Sequence, residues 1–114
     1  MHNRLDGAGV LIDAYNLIRG DRQKAYGHPL EDYRKVVQIF HALTGIQLGL
    51  SDAILFMVSV KMARLRTNLE AGQLHRDSVV DAAGYLGCLS MINEALQAAG
   101  QESEQDRSTP PTQP

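Results

Sequence analysis

"AILFMVSVKMARL", residues 53–65, is the most apolar stretch of the chain, and its reading decides the fold. Lys61 ends the apolar run after eight residues, too few to cross a bilayer and suited to a buried helix. Ser51 just before it is a natural N-cap, so a helix is expected through Ala53–Leu65, fraying near Asn68. The N-terminal half is apolar nearly all round, which predicts a central element.

Outward from this segment the periodicity is helical throughout. On the C-terminal side, a polar loop ("NLEAGQLHR") leads into a segment from about Asp77 to Ala99. Its apolar set, Val79, Val80, Ala83, Leu86, Leu89, Ile92 and Leu96, covers more than one face. On the N-terminal side, Pro29 suits a first helical position, Val36, Val37, Phe40 and Leu43 form a stripe, and Gly45 suits a stop. Before that, Val10, Leu11, Ala14, Leu17 and Ile18 mark a helix over about Gly9–Arg19 that Gly20 should end, with "DRQKAY" free to form a short extra turn before Gly27. The expectation is an all-α, four-helix bundle-like fold with the third and fourth segments central. Both are more apolar than four such helices can cover, so a homodimer or homotetramer sharing their surfaces is expected.

The chain has 114 residues, which is one domain by length. Residues 1–8 read as an N-terminal extension and 9–100 as the helical domain. Residues 101–114 hold no aliphatic or aromatic side chain and three prolines, and read as a disordered tail. Eleven basic and 13 acidic residues give a net charge of −2, without the basic excess of a duplex-DNA binder. The single cysteine, Cys88, rules out an internal disulfide and a cysteine zinc site and fits a reducing cytoplasm. Asp13 and Asn16 interrupt the first apolar run, so neither a signal peptide nor a membrane partner is expected.

The polar residues of the two most apolar segments carry the chemistry. Asp77, Asp81 and Tyr85 form an i, i+4, i+8 row, and Lys61 and Arg64 share a face. Antiparallel packing of the two segments would bring these cations beside these carboxylates. The structural alternatives are plain: Asp77 as an N-cap, and Lys61–Asp81 or Arg64–Asp77 as a salt bridge. Carboxylates from different helices of a bundle can also hold a divalent ion. Glu31, Asp77 and Asp81 would supply a Mg²⁺ site if the second segment faces the fourth. A second polar cluster surrounds Gly27. Tyr26 and His28 there could stack on a base, with Arg22 and Lys24 available for phosphate, unless the connection is simply solvated. No phosphate loop, no G-x-S-x-G and no histidine metal spacing occurs.

Three stretches, "GDRQKAYGHPLEDYRKV" (20–36), "SDAILFMVSVKMARLR" (51–66) and "HRDSVVDAAGYLGCL" (75–89), together resemble an uncharacterised family of short phage and prophage proteins. The elements that carry the likeness are Arg22, Tyr26-Gly27, Glu31, Asp52, Lys61-x-x-Arg64, Asp77-x-x-x-Asp81 and Gly84-Tyr85. More distantly, the layout is similar to the all-α MazG-like nucleoside triphosphate pyrophosphohydrolases. That resemblance implies helical oligomers in a host cytoplasm that bind Mg²⁺ and cleave an NTP to NMP and pyrophosphate. It implies Glu31 and Asp32 on a first carboxylate helix, and Asp77 and Asp81 on a second. Lys61 and Arg64 would then lie on phosphates. The residues themselves add Tyr26 and His28 on base or sugar, Arg22 on phosphate and Tyr85 as a further nucleotide contact. Lys35 stands where that pattern has a third acid, and the Asp77/Asp81 spacing is four rather than three. The chain is therefore expected to be a divergent hydrolase acting on (d)NTPs, a nucleotide-binding module without turnover, or a purely structural helical oligomer.

Overall fold

A computed structural model describes residues 6–108, with the side chains of Asp21, Arg22 and 101–108 outside the description. Among the described residues the chain is helical and has no strand. α1 spans Gly7–Leu17, with Asp6 as N-cap: its Oδ1 accepts from the Ala8 N–H at 3.2 Å. A π-helical segment, Ile18–Arg22, then leads directly into the single turn of α2, Gln23–Tyr26. α3 is Pro29–Thr44, α4 is Leu50–Glu70 and α5 is Arg76–Ser108. α4 and α5 form the most extensive helix pair, α1 lies on α5, and α3 rests on both α4 and α5.

The start and stop signals of α3 act as expected. Pro29 occupies the first turn, and Gly45 closes the helix at φ 75°, a left-handed conformation that glycine adopts without a Cβ clash. Elsewhere the boundaries differ from expectation. Gly20 does not end the first helix, because the wider π turn carries the chain through it to Gly27, where φ reaches 76°. Gly49 rather than Ser51 is the N-cap of α4, which starts at Leu50 and runs on to Glu70. α5 begins at Arg76, so Asp77 lies inside the first turn instead of capping it. α5 also continues past the boundary expected at residue 100. "QESEQDRS" lacks apolar residues to pack, yet it is rich in Glu and Gln and free of proline until Pro110, so it propagates a helix already nucleated. Residues 109–114 of the expected tail, and 1–5 of the expected extension, lie outside the described residues.

The core is small. Tyr33 from α3, Ala53 and Ile54 from α4, and Tyr85, Cys88 and Ile92 from α5 form it, with Leu30, Val37 and Met57 packed around. α4 packs on both α3 and α5. Its Leu55 and Phe56 are exposed, because no described element covers that face. One expectation about packing is corrected. Of the α3 stripe, Val37 meets the core, whereas Leu43 is 79% exposed. No described helix is long and apolar enough to cross a membrane.

Candidate functional site

A concavity of about 740 Å³ opens between α3, α4 and the end of α2. Tyr26 and Tyr85, 59 positions apart in sequence, meet here with Tyr33, Phe40 and Phe56. Tyr85 is buried in the core and turns one side to the cavity, whereas Tyr26 is 58% exposed at its rim. The polar groups on its wall are Asp32, Asp52, Ser59 and the tyrosines; among the described residues no lysine, arginine or histidine lines it. Asp32 and Asp52 lie in the first turns of α3 and α4, where a carboxylate complements the positive helix end. The aromatic rings therefore come from four helices and the acids from two helix starts.

The charged cluster forms separately, where α4 ends and α5 begins. Lys61 Nζ lies 3.0 Å from Asp81 Oδ2, with both side chains largely shielded from solvent. This is the contact that antiparallel packing of the two segments anticipates. Arg64 is not part of it; it is exposed, and its carbonyl accepts from Asn68 Nδ2 at 2.9 Å. Instead, α1 completes the cluster. Asp13 Oδ2 sits 2.7 Å from Arg76 Nη2, and Asp13, Asn16, Arg76, Asp77 and Asp81 line a polar cleft of about 460 Å³ between α1 and α5. Sequence reasoning missed Asp13 and Arg76 as site residues. The signal was present in Asp13, a carboxylate inside an apolar helical stripe.

The remaining nominated residues scatter. His28 is the N-cap of α3: its Nδ1 accepts from the Leu30 N–H at 3.0 Å, which leaves only Nε2 for another partner. Glu31 is exposed in the first turn of α3, and the Arg22 side chain lies outside the described residues. Among the described residues, no three His, Cys, Asp or Glu side chains gather closely enough to hold a metal ion. Glu31, Asp77 and Asp81 thus do not converge, because α3 reaches the core through Tyr33 and presents Glu31 to solvent. Asp81 is moreover engaged by Lys61. The residues present do not fit a three-carboxylate Mg²⁺ site.

The Lys61–Asp81 pair makes a quantitative prediction. Lys61→Met alone leaves a shielded carboxylate without its cation and should cost about 1–3 kcal/mol, below the range for a fully buried pair. Adding Asp81→Leu should return most of that loss. A urea-denaturation double-mutant cycle measures the coupling, and strictly additive effects would show that the contact holds nothing together.

The comparisons with known proteins agree with the phage likeness. Residues 9–93 match the DUF6378 family, described as a domain of unknown function. The gene 55 protein of Mycobacterium phage D29 is 35% identical over 85 residues, covering 75% of this chain and 54% of that protein. The gene 55 protein of Mycobacterium phage L5 is 32% identical over 84 residues, covering 73% and 51% respectively. The chain spans about half the length of these relatives. No solved structure matches it. The matched span runs from the first turns of α1 to the middle of α5 and contains both concavities, and the chain belongs to the DUF6378 family.

Proposed function

We propose that the chain is a helical module that binds a nucleotide or a nucleotide-derived small molecule, with the planar base held in the aromatic cavity. The observation behind this reading is the meeting of Tyr26 and Tyr85 with Tyr33, Phe40 and Phe56 around about 740 Å³, a volume in the usual range for small-molecule sites. Stacking of a base on an aromatic ring contributes about 1–3 kcal/mol. Asp32 and Asp52 can accept hydrogen bonds from ring N–H or exocyclic amino groups, which favours a base that presents donors. Because no described residue of the wall is cationic, phosphates belong outside it, on the side of Tyr26 where Lys24 is exposed.

The MazG-like hydrolase reading asks Glu31, Asp77 and Asp81 to hold Mg²⁺ together, and these residues do not assemble in the chain. Binding without turnover is therefore the version adopted. The charged cluster reads as structure, since Lys61–Asp81 and Arg76–Asp13 tie α4 and α1 to the start of α5.

Thermal-shift measurements against nucleosides, NTPs and dNTPs, with and without Mg²⁺, test the reading. A ligand at 100 times its Kd adds roughly 2.7 kcal/mol, a shift easily resolved in a domain of this size. Tyr26→Ala and Asp52→Asn should each abolish the response while Glu31→Gln leaves it. If no nucleoside or nucleotide raises the melting temperature, the reading fails. Pyrophosphate released above an Asp81→Asn control would replace it with the hydrolase.

A further inference from the structure

We infer that a second copy of this chain covers the outer face of α4, antiparallel about a two-fold axis at Ser59, and closes the mouth of the aromatic cavity. At 100° per residue, Asp52, Leu55, Phe56, Ser59, Met62 and Arg66 share one side of α4, roughly opposite Ile54 and Lys61. Ile54 and Lys61 face the core and α5. Between Asp52 and Arg66 that side carries apolar groups that are bare: Leu55 is 45%, Phe56 64% and Met62 56% exposed. A contiguous apolar strip of this kind on a soluble domain marks an interaction surface.

The register follows from the residues themselves. Positions equally far on either side of Ser59 face one another in an antiparallel pair. Three residues out, Phe56 meets the partner's Met62, a favourable sulfur–aromatic pairing. Four out, Leu55 meets the partner's Ala63. Seven out, Asp52 meets the partner's Arg66. At the crossing, Ser59 is small, and its Oγ already donates to the Leu55 carbonyl at 2.9 Å, so the hydroxyl can be covered without losing a hydrogen bond. A parallel pair would set Asp52 against Asp52 of the partner subunit. Arg66 is free to change partner, since its present ion pair with Glu70 is solvent-exposed on both sides and such pairs hold little energy.

The consequence reaches the site. Asp52, Phe56 and Ser59 all line the cavity. Arg66 of the partner subunit would therefore stand at its mouth and add a cation to a wall whose described residues hold none. The interface stands on the α4 face alone and does not depend on what the cavity binds.

Sedimentation velocity on the full chain, together with mild oxidation of a Ser59→Cys variant, tests the proposal. The expected mass is twice that of one chain, and Ser59→Cys should cross-link as a dimer. The native Cys88 is buried and should not cross-link in the unsubstituted chain. Met62→Glu should weaken association by about 100-fold or more, since it sets a charge in the apolar seam. Leu74→Glu, equally exposed but in the α4–α5 loop, should leave it unchanged. Arg66→Asp should weaken the dimer and Asp52→Arg with Arg66→Asp should restore it. A monomeric wild-type chain, or a dimer in which Ser59→Cys does not cross-link, overturns the inference. Should Met62→Glu fail to fold, the cross-link still decides. Loss of the dimer without loss of nucleotide response would separate this failure from that of the binding reading.

Discussion

Ile54→Ala is expected to lower stability by about 2–5 kcal/mol and the melting temperature by on the order of 10 °C or more. Ile54 is fully buried where α3, α4 and α5 meet, against Tyr33, Tyr85, Cys88 and Ile92. Truncation removes three carbons and leaves a cavity walled by large rings that cannot easily collapse inward. A domain of this size has only about 5–15 kcal/mol in total, and this core is small, so one such cavity takes a large share. Ile54→Val, which removes one carbon, should cost only about 0.5–1.5 kcal/mol. Leu43→Ala, at a site 79% exposed, should stay within about 0.5 kcal/mol. Urea denaturation followed by circular dichroism gives all three. Equal losses at positions 54 and 43 would mean that the core lies elsewhere.

The contrast between Ile54 and Leu43 shows which parts of the fold could be read from sequence. Both residues sit in apolar helical patterns, and local periodicity treats them alike. Burial depends on which helix arrives opposite, and the pattern of one segment does not encode that. The same limit holds for α4: its all-round apolar composition predicts more apolar surface than one chain covers, but which face stays bare is decided by where α3 and α5 arrive. Helix ends were legible where one residue meets a backbone demand alone, as Pro29 and Gly45 do. They were illegible where a weak local signal was overridden. Gly20 costs a helix interior about 1 kcal/mol, yet the chain continues through it while Ile18 packs against the core and α5.

The site divides along the same line. Lys61–Asp81 was legible because helical spacing and an antiparallel turn are enough to bring the two together. Tyr26 and Tyr85 were nominated separately, for different reasons, and only the tertiary fold shows that they share a cavity. His28 was read as a base contact because a loop histidine beside glycine stands out. Its position directly before Pro29 fits its capping role equally well, and capping is what its Nδ1 does. Asp13 and Arg76 escaped notice because their partnership joins the first helix to the last, across more than sixty residues of chain.

That junction of α1 and α5 yields the other large effect: Gly87→Leu should cost about 3 kcal/mol or more, while Gly87→Ala should stay within about 1 kcal/mol of wild type. Gly84 and Gly87, three apart on one face of α5, receive Leu17 and Ile18 from the end of α1 and the start of the π segment. A Cβ at Gly87 would lie 2.6 Å from Ile18 Cδ1, and one at Gly84 would lie 3.6 Å from Leu17 Cδ2. In Gly87→Ala the obstacle is the terminal methyl of a flexible side chain, which can rotate away, and the better helix propensity of alanine offsets the strain. Leucine adds three further carbons that no rotation of Ile18 can accommodate. α1 must then lift from α5, which also parts Asp13 from Arg76, now 2.7 Å apart, and opens the polar cleft between them. The α3–α4 wall of the aromatic cavity, with Tyr33, Phe40 and Phe56, should survive the change. Hydrogen exchange separates the outcomes: in Gly87→Leu the amides of α1 should exchange faster while those around Ile54 remain protected. Uniform loss of protection would mean that α1 and the core unfold as one unit. A Gly87→Leu chain as stable as wild type would show that the two glycines do not hold α1 in place.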